Sequence, residues 1–534
     1  MEIYFNANVI TMDQGNPSAE AFAVCDGKFF SVDSNETLKN VSGKNVRFID
    51  LGGRTVIPGF IESHCQPSEY ATHFLQVECA PAAAGTIDDV KRNIRQRASS
   101  SPAGQWIRGF GFDDTLIGDR RHLTRKDLDE ASPDNPVYIT HVTSHIAYVN
   151  SLALSIAGIG PDTPQPSGGE IKKDKSGYPT GVLVEPSAMN QVSRLIPHYS
   201  VEERKKAFEK TFAYFHTNGI TSSHDAAIGY FRDTPHILRT YSELERENHL
   251  SLRIYMTILE EYYAKLYDTG LGTCFGSVFL KLGGVKFFQD GSIQTLSAAL
   301  SRGYENKPEW NGHLTWPQDE LNRLVEKYHS AGLQVAIHCN GDAAIESVLQ
   351  AFESAQAKYP RQRHRHMLIH CQMASEDQIR RMKALGAVPS YFINHVYYWG
   401  DRHRDIFLGE PRASIINPLG SSVREGLMFA LHSDLPVTPV SPLEAMHTAV
   451  NRRTSSGLVL GADECISPME AIKAYTINAA YCSFEENIKG GIEEGKLADF
   501  TVLNNNPLTV DPGEIKNIQV QATVVGGRLV FGEF

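Results

Sequence analysis

The chain has 534 residues, of which 41% are hydrophobic and 21% charged, and these ordinary globular values exclude a disordered or fibrous protein. Its 62 acidic and 51 basic residues give a net charge of −11, which provides no basic surface for nucleic acid or anionic lipid. The eight cysteines are scattered without a C-x-x-C pair, so they indicate reduced thiols rather than a disulfide framework or a zinc ribbon.

The N-terminal segment predicts short strands rather than a targeting sequence. Residues 3–10 alternate as one strand, and Asp26-Gly27 between two further strand patterns indicates a hairpin. The segment lacks the basic start and apolar core of a signal peptide, and no apolar run approaches the roughly 20 residues that span a bilayer. We therefore expect a soluble, cytoplasmic protein with no membrane partner.

The two ends of the chain share a strand-rich pattern. The strands predicted near the termini are 21–24, 28–32, 46–51, 498–503, 518–525 and 529–531. This similarity predicts one small β-domain built from residues 1–55 and 485–534.

Between these ends, short apolar runs alternate with amphipathic stretches, which is typical of repeated βα units. Strands are predicted at 219–223, 278–288, 334–337, 367–369, 387–391 and 428–431. Capping boxes predict helix starts at Ser200, Ser375, Ser441 and Ser467. The pattern favours a (β/α)8 barrel over residues 56–484 rather than an open sheet. Residues from about 70 to 198 break the spacing, and we interpret them as a large insertion after the first strand, folded over the barrel mouth.

Polar side chains lie at the ends of these strands. His64 and Gln66 are two residues apart at the end of the first strand, so both leave it on the same face and can hold one ion. The other polar residues at or near strand ends are Lys286, His338, His370 and Asp434. A single such histidine is equally well explained as a hydrogen-bonded core residue. In a barrel, however, the strand ends converge on the active-site face, and the set together predicts a site there.

This set has the chemistry of a divalent metal centre. Histidine nitrogen and carboxylate oxygen are suitable ligands for zinc and similar ions. A lysine buried near cations loses its proton, and the free amine of Lys286 can then take up carbon dioxide to become a carbamate that binds or bridges metal. Asp434 can accept the proton of a metal-activated water.

Several motifs resemble those of the amidohydrolase superfamily and, within it, the YtcJ-like metal-dependent hydrolases of amidohydrolase family 3. The motifs lie at 56–64, 144–151, 181–185, 286–292, 432–437 and 495–500. The resemblance spans almost the whole chain and implies a (β/α)8 barrel with a small β-sandwich from both termini. It also implies that the metal-site residues are His64, Lys286, His338, His370 and Asp434.

One position departs from the family pattern. The family usually has His-x-His on the first strand, and here the second position is Gln66, whose amide oxygen is a weaker, uncharged ligand. We expect one firmly bound ion, with zinc as the expected metal, at Lys286, His338 and His370. A second ion at His64, Gln66 and Asp434 is expected to be loosely held.

Four residues are predicted to contact the substrate. His145 and Glu185 belong to resemblance motifs in the insertion, with local hydrogen bonding as the alternative. Tyr391 and His395 belong to an aromatic segment after a late strand, where a core role is the alternative. These residues predict a small, partly apolar substrate.

The leading hypothesis is a hydrolase that uses a metal-activated water to cleave a carbon-nitrogen bond, other than a peptide bond, in a small amide. Because Gln66 alters the centre, hydrolysis of an ester or lactone, or a lyase or isomerase step, remains an alternative. A non-catalytic binding protein is a third reading, against which Lys286 and the other retained ligands argue. A mononuclear deaminase would need the His-x-His ion and no lysine, so the sequence argues against it. The pattern names no substrate and leaves a homodimer open.

Overall fold

The computed structural model describes residues 1–41, 43, 45–143, 145–229 and 234–534, so Ser144 of the motif at 144–151 lies outside the described residues. The described chain forms two compact units. Unit 1 comprises Met1–Ser68 and Thr211–Phe534, and unit 2 comprises Glu69–Lys210. The domain boundaries predicted at 55 and 485 fall within unit 1 and stay predictions.

Eight parallel strands of unit 1 form a nearly closed barrel. In chain order they are β1 Phe60–Cys65, β2 Ile220–Ile228, β3 Arg253–Leu259, β4 Leu280–Phe288, β5 Gln334–Cys339, β6 Met367–His370, β7 Val388–Tyr391 and β8 Ala430–Leu431. Consecutive strands pair in parallel from β1 to β8. Between β8 and β1, Ser63 Oγ donates to Leu431 O at 2.8 Å. The predicted (β/α)8 fold is therefore confirmed, although β3 was not among the predicted strands.

Helices connect and cover the barrel strands, except that Asn35–Lys39 contacts the N-terminal strands Glu2–Phe5 and Ala21–Cys25. Those wholly within unit 1 are Asn35–Lys39, Thr234–Arg246, Glu260–Tyr263, Gln318–Ser330, Asp342–Lys358, Glu376–Leu385, Asn394–Arg402, Glu410–Ala413, Leu419–Glu425, Pro442–Asn451, Pro468–Tyr475 and Ile477–Cys482. Two further helices, Pro67–His73 and Val201–Thr217, contain the boundaries between the units. Ser375 shows the predicted capping box, because its Oγ accepts from Gln378 N (3.3 Å) and its N donates to Gln378 Oε1 (3.0 Å).

Strands from both termini form the two sheets of a β-sandwich. The four-stranded sheet runs Lys28–Asp33, Ala21–Cys25, Glu2–Phe5 and Arg47–Asp50. The six-stranded sheet runs Arg528–Gly532, Val520–Val525, Phe500–Leu503, Thr55–Pro58, Asn8–Ile10 and Ser18–Ala19. The rings of Tyr4 and Phe500, one from each sheet, pack edge to face with centroids 5.1 Å apart. The predicted sandwich is confirmed.

The single strand predicted over residues 3–10 is wrong. Asn6 has a positive φ of 55°, which ends Glu2–Phe5 before Asn8–Ile10 begins. Asparagine adopts this left-handed conformation more readily than most residues, and the turn sends the two halves into different sheets of the sandwich. Alternation alone could not show the break, because both halves bury apolar side chains.

Unit 2 occupies the sequence between β1 and β2 and has its own sheet. The strand order is Glu170–Lys173, Pro179–Val184, Ile146–Val149, Val137–His141, Ile107–Phe112 and Val77–Glu78. Its helices are Ile87–Ser99, Arg125–Ala131, Ser151–Ile156 and Pro186–Ser193. Over the part of the chain that the structure describes, no helix has the length and apolar character needed to cross a membrane.

Candidate metal centre

Three of the predicted ligands meet at the C-terminal ends of the barrel strands. His64 is the second-last residue of β1, His370 is the last residue of β6, and Asp434 follows β8. All three are buried, and one ligand atom from each lies within 4.8 Å of the others. His64 Nε2 is 3.4 Å from Asp434 Oδ1. Two imidazoles and one carboxylate form a donor set that suits zinc.

His338 and Lys286 lie next to this cluster on neighbouring strands. The ring of His338, on β5, has its centroid 4.5 Å from that of His370. Its Nε2 lies 3.1 Å from Gly291 O and 3.0 Å from Asn340 Nδ2. Lys286, on β4, is only 1% exposed, and its Nζ has no hydrogen-bond partner among the described residues. An unpaired ammonium is strongly disfavoured in such surroundings.

Gln66 contributes a backbone contact in the structure. It is half-buried directly after β1, and its N–H donates to Leu435 O at 2.8 Å. This bond holds the end of β1 against the segment that carries Asp434. The Gln66 side chain as a metal ligand stays a prediction.

Burial sets protonation states that favour metal binding. It lowers the pKa of His338 to about 3 and holds the pKa values of His64 and His370 well below their ordinary value. The rings are therefore neutral and offer lone pairs. Burial also lowers the pKa of Lys286, although the charge of Asp434 acts to raise it. Burial raises the pKa of Asp434, although the charge of Lys286 acts to lower it.

The buried atoms without partners fit a divalent cation. His370 Nδ1, Asp434 Oδ1 and Lys286 Nζ make no hydrogen bond to any of the described residues. Most buried polar atoms in native proteins are paired, so a concentration of unpaired ones marks the place of an ion or a reacting group. Imidazole nitrogen and carboxylate oxygen are donors that zinc and related ions accept.

Two buried acids support the loops that carry the predicted ligands. Asp290 accepts the N–H groups of Asn340 (2.9 Å) and Gly341 (2.8 Å), and its Oδ1 lies 3.7 Å from His338 Nε2. Glu62 accepts the N–H of Ser433 at 3.0 Å. Burial raises the pKa of Asp290 to about 7 and that of Glu62 to about 8. Sequence reasoning gave Glu62 no role, although its place two residues before His64 on β1 could have indicated one.

The aromatic segment after β7 brings a further histidine near the cluster. The ring of His395 is buried, with its centroid 6.3 Å from that of His370 and 4.3 Å from that of Phe392. Tyr391 is fully buried, and its hydroxyl lies 2.9 Å from Ser422 Oγ. A histidine with no assigned role, His432, has its ring centroid 4.9 Å from that of His64. His432 begins the motif at 432–437, in which only Asp434 was predicted as a site residue.

The other two predicted substrate contacts lie in unit 2. His145 and Glu185 are brought together, with Nδ1 2.9 Å from Oε2. Both side chains are largely exposed, at 64% and 45%. Their role toward a substrate stays a prediction.

Comparisons with known proteins extend over both units. The amidohydrolase family model Amidohydro_3 matches residues 47–531. The chain is 30% identical over 538 residues to YtcJ of Bacillus subtilis (strain 168), covering 99% of each chain. It is 30% identical over 537 residues to N-substituted formamide deformylase of Arthrobacter pascens, covering 98% of this chain and 97% of that one. A solved structure of an uncharacterized metal-dependent hydrolase from Pyrococcus horikoshii OT3 has 25% identity and a TM-score of 0.79, covering 96% of this chain and 99% of that one.

Proposed function

The chain belongs to the amidohydrolase family, and from this premise we propose that it is a metal-dependent hydrolase of a carbon-nitrogen bond in a small, partly apolar amide. The observation that supports this most is the buried cluster of His64, His370 and Asp434, whose ligand atoms lie within 4.8 Å of one another. The unpaired, buried Lys286 next to this cluster is unfavourable unless it has a chemical role, which argues against a non-catalytic binding protein.

The ion would be held by His64, His370 and Asp434, and zinc best suits this donor set. The predicted firm set of Lys286, His338 and His370 stays a prediction beside this one, because a His338 ring that donates its Nε2–H to Gly291 O keeps the lone pair of Nδ1 for an ion. When bound, such an ion polarises a carbonyl group and lowers the pKa of water. The neutral amine of Lys286 adds to carbon dioxide, forming an N–C bond and releasing one proton, and the resulting carbamate offers oxygens to the same site.

Asp434 is the proton carrier of the reaction. Its carboxylate takes a proton from the water whose oxygen attacks the amide carbon. It then gives that proton to the leaving nitrogen as the C–N bond breaks, so the products are a carboxylic acid and an amine. Asp434 is 8% exposed, so its carboxylate has little contact with bulk solvent.

Amides with an apolar substituent on nitrogen are the first substrates to test. The deformylase from Arthrobacter pascens acts, by its name, on N-substituted formamides. In this chain, the rings of Phe392 and Trp399 lie around His395, with centroids 4.3 Å and 5.7 Å from its ring. Aromatic rings next to a polar centre suit a substrate that is apolar at one end.

A substrate screen on the metal-loaded full chain tests the proposal. N-formyl and N-acyl amines are assayed for amine release beside a matched set of esters and lactones. We expect amide turnover, which chelation abolishes and added zinc restores. The variant His370→Ala should lose this turnover, and the control His447→Ala should keep it. Turnover of esters or lactones without turnover of amides would favour the alternative, hydrolysis of an ester or lactone. No turnover of any amide by protein with bound metal would overturn the proposal.

A further inference from the structure

Three buried histidines form a network of hydrogen bonds at the N-terminal ends of β5 and β6. They are His329, near the end of helix Gln318–Ser330, and His364 and His366, in the segment directly before β6. Each is at most 1% exposed. Nδ1 of His329 lies 2.8 Å from Nε2 of His366, and the ring centroids of His364 and His366 are 4.3 Å apart. The proposed function uses none of these side chains.

A backbone N–H fixes the position of the proton on two of the rings. The N–H of Val335, in β5, donates to His366 Nδ1 at 3.0 Å, so the proton of that ring lies on Nε2. This Nε2–H donates to His329 Nδ1. The proton of His329 therefore lies on Nε2, which donates to Tyr359 O at 2.7 Å. Both rings are neutral, and neither has a nitrogen free for a second proton.

His364 extends the network to the neighbouring strands. The N–H of His366 donates to His364 Nδ1 at 3.0 Å, so this ring also carries its proton on Nε2, which donates to Leu385 O at 2.7 Å. The carbonyl oxygen of His366 accepts from the N–H of Val388, the first residue of β7, at 2.8 Å. The network therefore joins the N-terminal ends of three consecutive barrel strands.

Burial and charge both oppose protonation of the rings. Burial is the larger cause, and it lowers the pKa of His364 to about 4. The guanidinium of Arg361, which donates to His329 O at 2.7 Å, adds a positive charge that lowers the pKa of all three rings. Among the described residues, no carboxylate acts to raise the pKa of any of them. Glu326, on the helix that carries His329, pairs instead with Lys358.

We propose that His329, His364 and His366 form a pH-sensitive device that fixes the N-terminal ends of β5 and β6 only while all three rings are neutral. An added proton on His366 Nδ1 would point at the N–H of Val335, and one on His364 Nδ1 would point at the N–H of His366. Proton uptake therefore requires these hydrogen bonds to break. The same two strands carry two of the predicted metal ligands at their other ends. The device does not rest on the proposed function.

The direction of the pH effect follows from the pKa of each ring. Each pKa is lower in the folded chain than the ordinary value of about 6.5, so the device is complete above about pH 6.5 and weakens as the pH falls toward 4. Each ring that takes up a proton only in the opened state should lower the protection of nearby amides by about tenfold or more between pH 7.5 and pH 5.0.

Hydrogen–deuterium exchange of the full chain, read by mass spectrometry at single-residue resolution, tests the device. Protection factors at pH 7.5 and pH 5.0 are corrected for the intrinsic exchange rate and compared for the amides of Val335 and His366. The reference is the amide of Ile254 in β3, which donates to a backbone carbonyl at 2.7 Å. We expect protection of Val335 and His366 to fall about tenfold more than that of Ile254. An equal fall at all three amides would overturn the proposal.

His364→Asn keeps a hydrogen-bond acceptor but removes the titration. The amide oxygen can accept from the N–H of His366, as Nδ1 does, but it takes up no proton. The His366 amide of this variant should lose about tenfold less protection than that of the parent, while the control His313→Asn, at an exposed histidine of unit 1, should match the parent. A folded His364→Asn that loses as much protection as the parent would refute the proposal. If this variant does not fold, the measurement on the parent decides.

Discussion

At the residue scale, the chemistry of the barrel site depends on what burial does to charge. His64 and His370 are kept neutral, so their lone pairs remain for an ion, and Lys286 is kept from carrying an unpaired charge. For Asp434, measurement can separate a role as metal ligand from a role in proton transfer.

Asp434→Asn is expected to lower turnover per bound ion by a factor of about 10² to 10⁴, the range that general acid-base catalysis supplies. The amide keeps the shape and one ligand oxygen but cannot carry the proton. Turnover and zinc content are measured on the same sample, with folding checked by circular dichroism. Loss of the ion with little defect per remaining ion would make Asp434 a ligand only.

Lys286→Ala is expected to abolish turnover, with partial recovery in the presence of short carboxylic acids. The substitution removes the carbamate, and a small carboxylate can occupy the space left by the side chain. Turnover is measured with and without added acetate or propionate, and Lys516→Ala provides a control at an exposed lysine of unit 1. A crystal structure of the active, metal-loaded enzyme with an unmodified Lys286 amine remote from metal would contradict this prediction.

Gln66→His is expected to raise the zinc content, or the zinc affinity, of the barrel site. Imidazole is a stronger ligand than an amide oxygen, and residue 66 lies two positions from His64. Zinc is measured by elemental analysis after dialysis against a series of zinc buffers. Equal zinc content in Gln66→His and in the parent at every free zinc concentration would show that residue 66 is not a ligand position.

At the element scale, buried ion pairs join the strands at the end of the barrel opposite the metal centre. Glu485 Oε1 lies 2.8 Å from Lys281 Nζ, at the start of β4. Its Oε2 lies 2.6 Å from Lys489 Nζ, which donates to Ser222 Oγ on β2 at 2.9 Å. Burial raises the pKa of Glu485, but the charges of Lys489 and Lys281 outweigh it and lower the pKa to about 2.

This arrangement predicts acid sensitivity. The pKa of Glu485 is lower in the folded than in the unfolded chain, so its contribution is complete above about pH 4.5 and is lost as the pH falls toward 2. Glu485→Gln should lower the free energy of unfolding near neutral pH by about 3–5 kcal/mol, because it leaves buried lysines unpaired. As the pH falls below about 4.5, the difference from the parent should shrink.

Urea denaturation between pH 3 and pH 7 measures both effects. Asp377→Asn is the control, since the side chains of Asp377 and its partner Arg380 are 68% and 52% exposed, and loss of such a pair should change the free energy of unfolding little. A difference between Glu485→Gln and the parent that stays constant over this pH range would contradict the prediction.

At the scale of the whole molecule, the candidate metal centre joins parts of the chain that are far apart in sequence. His64, His370 and Asp434 come from β1, from β6 and from the segment after β8. An ion that binds the folded chain only adds about 2.7 kcal/mol to stability at a hundred times its dissociation constant. We therefore expect chelation to lower the midpoint of urea denaturation and added zinc to restore it.

His370→Ala separates this effect from zinc bound elsewhere. The variant should show a smaller zinc-dependent shift of the midpoint than the parent, because the barrel ion is missing. An equal shift in both proteins would contradict the assignment of His370 as a ligand.

Local patterns predicted most of the elements and failed where a neighbour in space decides the structure. Ser375 and Gln378 mark a helix start within four residues, so the capping box was readable. The strand Arg253–Leu259 was not predicted, because it begins with an arginine and has no polar residue at its end. Arg253 is buried there only because Asp499, 246 residues away, accepts from it at 2.7 Å.

The sequence by itself determined the fold class and the identity of the candidate ligands, because βα periodicity and polar strand ends are properties of a few neighbouring residues. Only the tertiary structure decided which ligand atoms converge, since His64 and Asp434 are 3.4 Å apart but separated by 370 positions. It also decided which buried atoms lack partners among the described residues, Nζ of Lys286 among them. Such distances depend on how parallel strands are ordered in a sheet, and no local pattern contains that order.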